Sequence, residues 1–137
     1  MILTEGVNYR SLKHWKYRTE RPHSVSTHCP QASTIETPWI ELTTTGVLRV
    51  RKGFCWDGPS GPTFDRPSFM RASLFHDALY QLLRLKLLSP SSRLWSDDLL
   101  RDICIEDGMN AWWAKQVVWR GIRLFGKRAA TPTAETS

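Results

Sequence analysis

Met70-Arg-Ala-Ser-Leu-Phe-His-Asp-Ala-Leu-Tyr-Gln-Leu-Leu-Arg84 is the stretch at which the hydrophobic period of the chain changes, and that change sets the fold class. Met70, Leu74, Phe75, Ala78, Leu79, Leu82 and Leu83 recur every three or four positions, the spacing of an amphipathic helix. Ser68 offers an N-cap and Ser89-Pro-Ser-Ser92 stops the pattern, so the spacing predicts a helix ending near Leu87. Upstream the period is two. Trp39-Ile-Glu-Leu-Thr43 alternates, Thr44-Thr-Gly46 supplies a turn, and Val47-Leu-Arg-Val-Arg51 alternates again, which predicts a β-hairpin. Lys13 to Arg18 interleaves cations and aromatics and reads as a further strand, with a short one at Ser24 to Thr27.

Downstream, a second helix is expected from about Arg93 to Asp107, with Leu94, Leu99, Leu100 and Ile103 on its buried side and Gly108 as its C-terminal cap. A third is expected from about Asn110 to Phe125, closed by Gly126 and carrying Trp112, Trp113, Val117, Val118, Ile122 and Leu124. The class is therefore α+β: a small N-terminal antiparallel sheet packed on a C-terminal three-helix unit. Residues 1–126 read as one domain and 127–137, which lack an apolar pattern, as a disordered tail.

A chain of 137 residues supports one real core and not two. The formal charge of +6 favours acidic partners, but the cations are scattered singly rather than in blocks, so a nucleic-acid face is the weaker expectation. Cys29, Cys55 and Cys104 have no C-x-x-C spacing, which excludes a zinc signature and a disulfide framework and suits reduced thiols in a cytoplasm. No run reaches the roughly twenty apolar residues of a membrane span, and no signal-peptide pattern opens the chain.

The candidate chemistry lies in Trp56-Asp-Gly-Pro-Ser-Gly-Pro62 and in the helix after it. Two Gly and two Pro in seven residues make an irregular loop that exposes backbone carbonyls beside the Asp57 carboxylate. On the helix, His76 and Asp77 are adjacent, and Tyr80 lies one turn after His76 on the same side. Antiparallel packing of the second helix would bring Asp97 or Asp98 opposite His76. A carboxylate on one ring nitrogen leaves the other to take a proton from water. Asp77, Asp57 and the carbonyls of Gly58 and Gly61 form an all-oxygen set that suits calcium or magnesium rather than zinc. The bland alternative makes Asp57, His76, Asp77 and Asp97 a buried polar network stapling loop to helices. Arg71, Arg84 and Arg93 read as salt-bridge partners of nearby acids, or as holders of a phosphate.

Lys52-Gly-Phe-Cys-Trp-Asp-Gly-Pro-Ser-Gly-Pro-Thr63 followed by the 70–84 stretch resembles a bacteriophage and prophage domain-of-unknown-function family. Its further marks are an R-x-x-x-D segment, here Arg93 and Asp97, and a closing aromatic-rich helix ending in F-G, here Phe125-Gly126. The resemblance covers about residues 13 to 127 and implies a phage gene product, located in the host cytoplasm or incorporated in the virion. Locally, the H-D-x-x-Y helix after a Gly-rich loop also resembles secreted sn-2 phospholipases and parvovirus capsid phospholipases. That likeness implies His76 as the base for the attacking water, Asp97 orienting it, Tyr80 supporting the site, Asp77 as a calcium ligand, and Gly58 and Gly61 in the calcium loop. The loop departs from the phospholipase pattern, since two residues separate Gly58 from Gly61 and Asp57 adds a carboxylate.

Two functions follow as expectations. One is a metal-dependent, phospholipase-like hydrolase acting on membrane phospholipid or envelope polymer. The other is a non-catalytic virion or tail accessory, or a host-protein ligand, built on the same residues as a structural network.

Overall fold

In the β half, alternating residues bury one face and leave the other to solvent, as the sequence period requires. The structure, a computed structural model, describes residues 7, 9–11, 16–57 and 67–132. Its strands are β1 (Tyr9–Ser11), β2 (Lys16–Thr19), β3 (His23–Ser26), β4 (Ile35–Glu36), β5 (Ile40–Leu42), β6 (Val47–Val50) and β7 (Cys55–Asp57). The hairpin expected around Gly46 is β5 with β6, in the register Ile40↔Val50, Glu41↔Arg49 and Leu42↔Leu48. Ile40, Leu42, Leu48 and Val50 are fully buried. Gly46, at φ +88°, closes the turn against the chain, where an added Cβ would meet the Cys29 backbone at 3.0 Å.

The strands make two antiparallel sheets where one was expected, in the orders β1-β2-β7 and β3-β6-β5-β4. They join at a corner built on Thr19. Its backbone N–H donates to the Phe54 carbonyl and its carbonyl accepts from the Gly53 N–H, both at 2.9 Å. Its hydroxyl donates to the Arg51 carbonyl at 2.9 Å and accepts from the Phe54 N–H at 3.0 Å. One buried threonine thus satisfies the backbone groups freed where the chain leaves β6 for β7.

The first helix, α1 (Pro67–Arg84), begins with Pro67 in its first turn, so Ser68 is inside the helix rather than its N-cap. It ends at Arg84, short of Leu87. Lys86 adopts φ 63°, and the Leu87 N–H folds back onto the Leu82 carbonyl at 2.9 Å, a Schellman-type stop with a lysine where glycine is usual. The second helix, α2 (Ser92–Glu106), stops in the same way: Gly108 has φ +105°, and the Met109 N–H reaches the Cys104 carbonyl at 2.9 Å. Asn110 then caps the next helix, its Oδ1 accepting from the Trp113 N–H at 3.1 Å. That helix runs as α3 (Ala111–Trp113), a π-helical segment (Ala114–Trp119) and α4 (Arg120–Phe125). The tail expected to lack structure forms α5 (Lys127–Ala130), pinned by an Arg84 N–H donated to the Ala129 carbonyl at 2.7 Å. Residues 133–137 lie outside the described residues.

α1 is the centre of the core, packed on β6 and β7 and on α2. Trp56 ties the three-stranded sheet to it, with Nε1–H donated to the Ser73 hydroxyl at 3.1 Å and the ring 5.5 Å from that of Tyr17. Leu99, Leu100 and Ile103 of α2 are buried as expected, whereas Leu94 is 49% exposed. Among the described residues no helix is long and apolar enough to cross a membrane. The three cysteines are free thiols, and burial pushes that of Cys104 up to about 12.

Antiparallel register between α1 and α2 is set by Arg71, which makes a two-pronged pair with Asp107 at 2.9 and 3.0 Å and a second contact with Glu106 at 3.1 Å. Both partners of the main pair are largely buried. Arg71→Ala leaves Asp107 without this partner and is expected to cost roughly 2–4 kcal/mol. Urea denaturation checks this, as a lower midpoint with an unchanged slope.

Candidate functional site

The register fixed by Arg71 brings the middle of α1 against the first turns of α2, where a single carboxylate gathers the polar side chains. Asp97 is completely buried. Its Oδ1 accepts from His76 Nε2 at 2.7 Å and from the Tyr80 hydroxyl at 2.6 Å. Its Oδ2 accepts from an Arg123 guanidinium N–H at 2.7 Å, with Arg93 Nε 3.8 Å away. Arg93 in turn donates to the Tyr80 oxygen at 3.1 Å and to the carbonyls of Ile122 and Arg123 at 2.8 and 2.9 Å. The imidazole and phenol rings lie 4.0 Å apart, as residues one turn apart on α1 should.

Gly126 makes this closure possible. A Cβ there would meet the Ile122 carbonyl at 2.6 Å, the Tyr80 hydroxyl at 2.8 Å and Arg93 at 3.3 Å. Any side chain at 126 would push the end of α4 away from Arg93.

Burial alone pushes the Asp97 carboxyl up, but the hydrogen bonds from His76, Tyr80 and Arg123 outweigh it and hold the group below its ordinary value. Burial dominates at His76 and lowers its basicity; the Asp97 carboxylate opposes that effect and the Arg93 charge adds to it. Tyr80 is shifted upward, first by burial and then by Asp97, so it stays protonated as a donor. At neutral pH the site is thus an ionised Asp97 with a neutral His76. An ionised carboxylate only accepts, so Nε2 carries the ring proton and the lone pair is on Nδ1. Among the described residues no buried side-chain nitrogen or oxygen lacks a hydrogen-bond partner.

His76, Tyr80 and Asp97 therefore converge as expected, and the choice between the two adjacent acids falls on Asp97. Asp98 points elsewhere, accepting from Trp119 Nε1–H at 2.9 Å and pairing with Arg101 at 3.5 Å. Of the arginines, Arg71 pairs with acids and Arg93 serves the network, while Arg84 holds α5. Asp77 is half-buried beside His76 on α1. Gly58 and Gly61 lie outside the described residues, and Asp57 is described only as the last residue of β7. Among the described residues no three His, Cys, Asp or Glu side chains form a metal-binding group. An open recess of about 1050 Å³ borders the network through Arg93 and Arg123 and is not lined by His76.

Arg123 and the close fit at Gly126 were not foreseen. Arg123 is 26 residues from Asp97, and no local spacing connects them.

Both His76 and Asp97 have folded-state values below their ordinary ones, so the unfolded chain takes up protons first as pH falls. The stability they contribute is present above the unfolded values, about 6.5 for His and 3.9 for Asp, and is lost as pH drops through the folded ones. The melting temperature is expected to fall as pH drops below the ordinary His value. His76→Gln should flatten that part of the profile in a pH series of thermal melts. In comparisons with protein-family models, with curated proteins and with solved structures, nothing matches this chain.

Proposed function

We propose that this chain is a hydrolase in which His76 activates water for attack on an ester or amide carbonyl. The observation that carries the reading is the His76–Asp97 contact at 2.7 Å through Nε2, which directs the lone pair of a neutral imidazole to Nδ1. In the proposed step Nδ1 takes a proton from water as the oxygen attacks, and Asp97 stabilises the imidazolium that forms. The imidazolium then returns the proton to the leaving group. Tyr80 and Arg123 hold the Asp97 carboxylate so that it cannot rotate away from the ring. Asp77, the Asp57 carboxylate and the carbonyls of Gly58 and Gly61 are the residues that would hold calcium or magnesium, which when bound polarises a carbonyl. The substrate class is membrane phospholipid or envelope polymer, in keeping with the phage-like sequence marks.

One observation favours a second reading, a non-catalytic virion accessory or host-protein ligand. Asp97 has no exposure and accepts from Tyr80 and Arg123 as well as His76, more donors than a catalytic dyad needs. In that reading the same residues are a structural staple.

Hydrolysis of phospholipid and peptidoglycan, assayed with calcium, with magnesium and with EDTA, separates the two. The hydrolase reading expects His76→Gln to lose about 100- to 10,000-fold in turnover with a melting temperature close to that of the parent. Its pH profile should rise to a plateau with a midpoint below the ordinary His value, since burial lowers the basicity of His76. Calcium should raise the melting temperature of the parent and not of Asp77→Asn. No turnover on either substrate class, with His76→Gln strongly destabilised, assigns the network to structure.

A further inference from the structure

The helix that delivers Arg123 to Asp97 turns a different face to solvent, and its composition is unusual. From Gly108 to Pro132 there is no Asp or Glu, while Lys115, Arg120, Arg123, Lys127 and Arg128 supply five positive charges. Large apolar side chains stand in the open at both ends of the same helix: Trp112 at 65% exposure, Leu124 at 74% and Phe125 at 83%. Trp113 is also exposed. A helix interior packed for stability alone would bury these residues.

The π-helical segment explains why an exposed residue at one end has a counterpart on the same side at the other. Three turns of α-helix take about 10.8 residues, and a π-type turn adds about one more. Residues twelve apart across Ala114–Trp119 are thereby returned to one face, pairing Trp112 with Leu124 and Trp113 with Phe125. The burial pattern agrees, since Trp112, Gln116, Arg120 and Leu124 form an unbroken exposed row while Ala114 and Val118 face the core. The two apolar ends of the row lie ~17 Å apart, with the Arg120 cation between them.

We propose that this face docks on an anionic lipid surface. Tryptophan and long apolar side chains at the ends of a basic, acid-free helix match the headgroup–acyl boundary, where the rings insert and the cations meet lipid phosphates. The neighbouring recess has the same character: Leu83, Leu87 and Leu94 lie with Lys86, Arg123 and Lys127 in a lining that contains no acid. A second copy of the chain is disfavoured because two such faces repel each other. Single-stranded nucleic acid would use the tryptophans and cations but gains nothing from exposed Leu124 and the leucines of the recess. The inference does not depend on the chemistry proposed for His76.

Co-sedimentation tests it, with vesicles of two parts phosphatidylcholine to one part phosphatidylglycerol compared with phosphatidylcholine alone. The parent should sediment with the anionic vesicles, and its tryptophan emission should shift to the blue. Trp112→Ser with Leu124→Ser and Phe125→Ser should weaken partitioning by about tenfold or more without lowering the melting temperature. Phe125→Ser alone gives the same direction with the least packing at stake. Lys115→Glu with Arg120→Glu should erase the preference for anionic vesicles, and His76→Gln should bind as the parent does. The proposal is overturned if the parent fails to sediment with anionic vesicles, or if the apolar variants sediment unchanged. Retention on a single-stranded oligonucleotide without vesicle binding overturns it in favour of nucleic acid.

Discussion

A carboxylate with no solvent contact has lost its hydration, a penalty of several kcal/mol that only close donors can offset. At Asp97 those donors are His76 and Tyr80 on α1 and Arg123 on α4, with the Arg93 charge, one turn back on α2, 3.8 Å away. The helices must therefore meet in one register. Arg71 fixes it between α1 and α2, and the missing side chain at Gly126 lets α4 close over Arg93 and Tyr80. Removing Asp97 would take away the acceptor of the buried His76 and Tyr80 donors and of the Arg123 guanidinium. The helical half of the molecule is arranged around that one negative charge.

The same arrangement decides what His76 is. Burial and Arg93 keep its ring neutral, while the Asp97 carboxylate fixes which nitrogen bears the proton. A neutral, oriented imidazole is suited to accept a proton, and two arginines on the same carboxylate make the unit rigid. Helix 111–125 connects this unit to the surface: Arg123 faces Asp97, while Trp112, Arg120 and Leu124 face solvent. If that face rests on lipid, the network lies directly behind the docked helix.

Much of this was legible from local spacing. The i, i+4 relation of His76 and Tyr80 and the antiparallel return of α2 pointed to a carboxylate opposite the imidazole. The choice between Asp97 and Asp98 was not legible, because adjacent helical residues differ by about 100° and packing selects the face. Trp119 and Arg101 settle it by engaging Asp98. Arg123 was invisible for a related reason, since its contact is tertiary and separated by 26 residues. Leu94 was expected in the core on periodicity alone, yet it lies where α2 overhangs the recess. The exposure of Trp112 and Leu124 was missed because α-helical periodicity does not hold across Ala114–Trp119. In the β half the hairpin was plain from its alternation. The split into two sheets was not, because it depends on Thr19 bonding to backbone more than thirty residues away.

The central claim is that Asp97 holds a neutral His76 with its proton on Nε2. Nitrogen-15 NMR of the imidazole rings, titrated across the neutral range and assigned with His76→Gln, tests it most directly. The account predicts for His76 an Nε2–H tautomer at neutral pH and a midpoint below the ordinary His value of about 6.5. An imidazolium at neutral pH, or a proton resident on Nδ1, would contradict it.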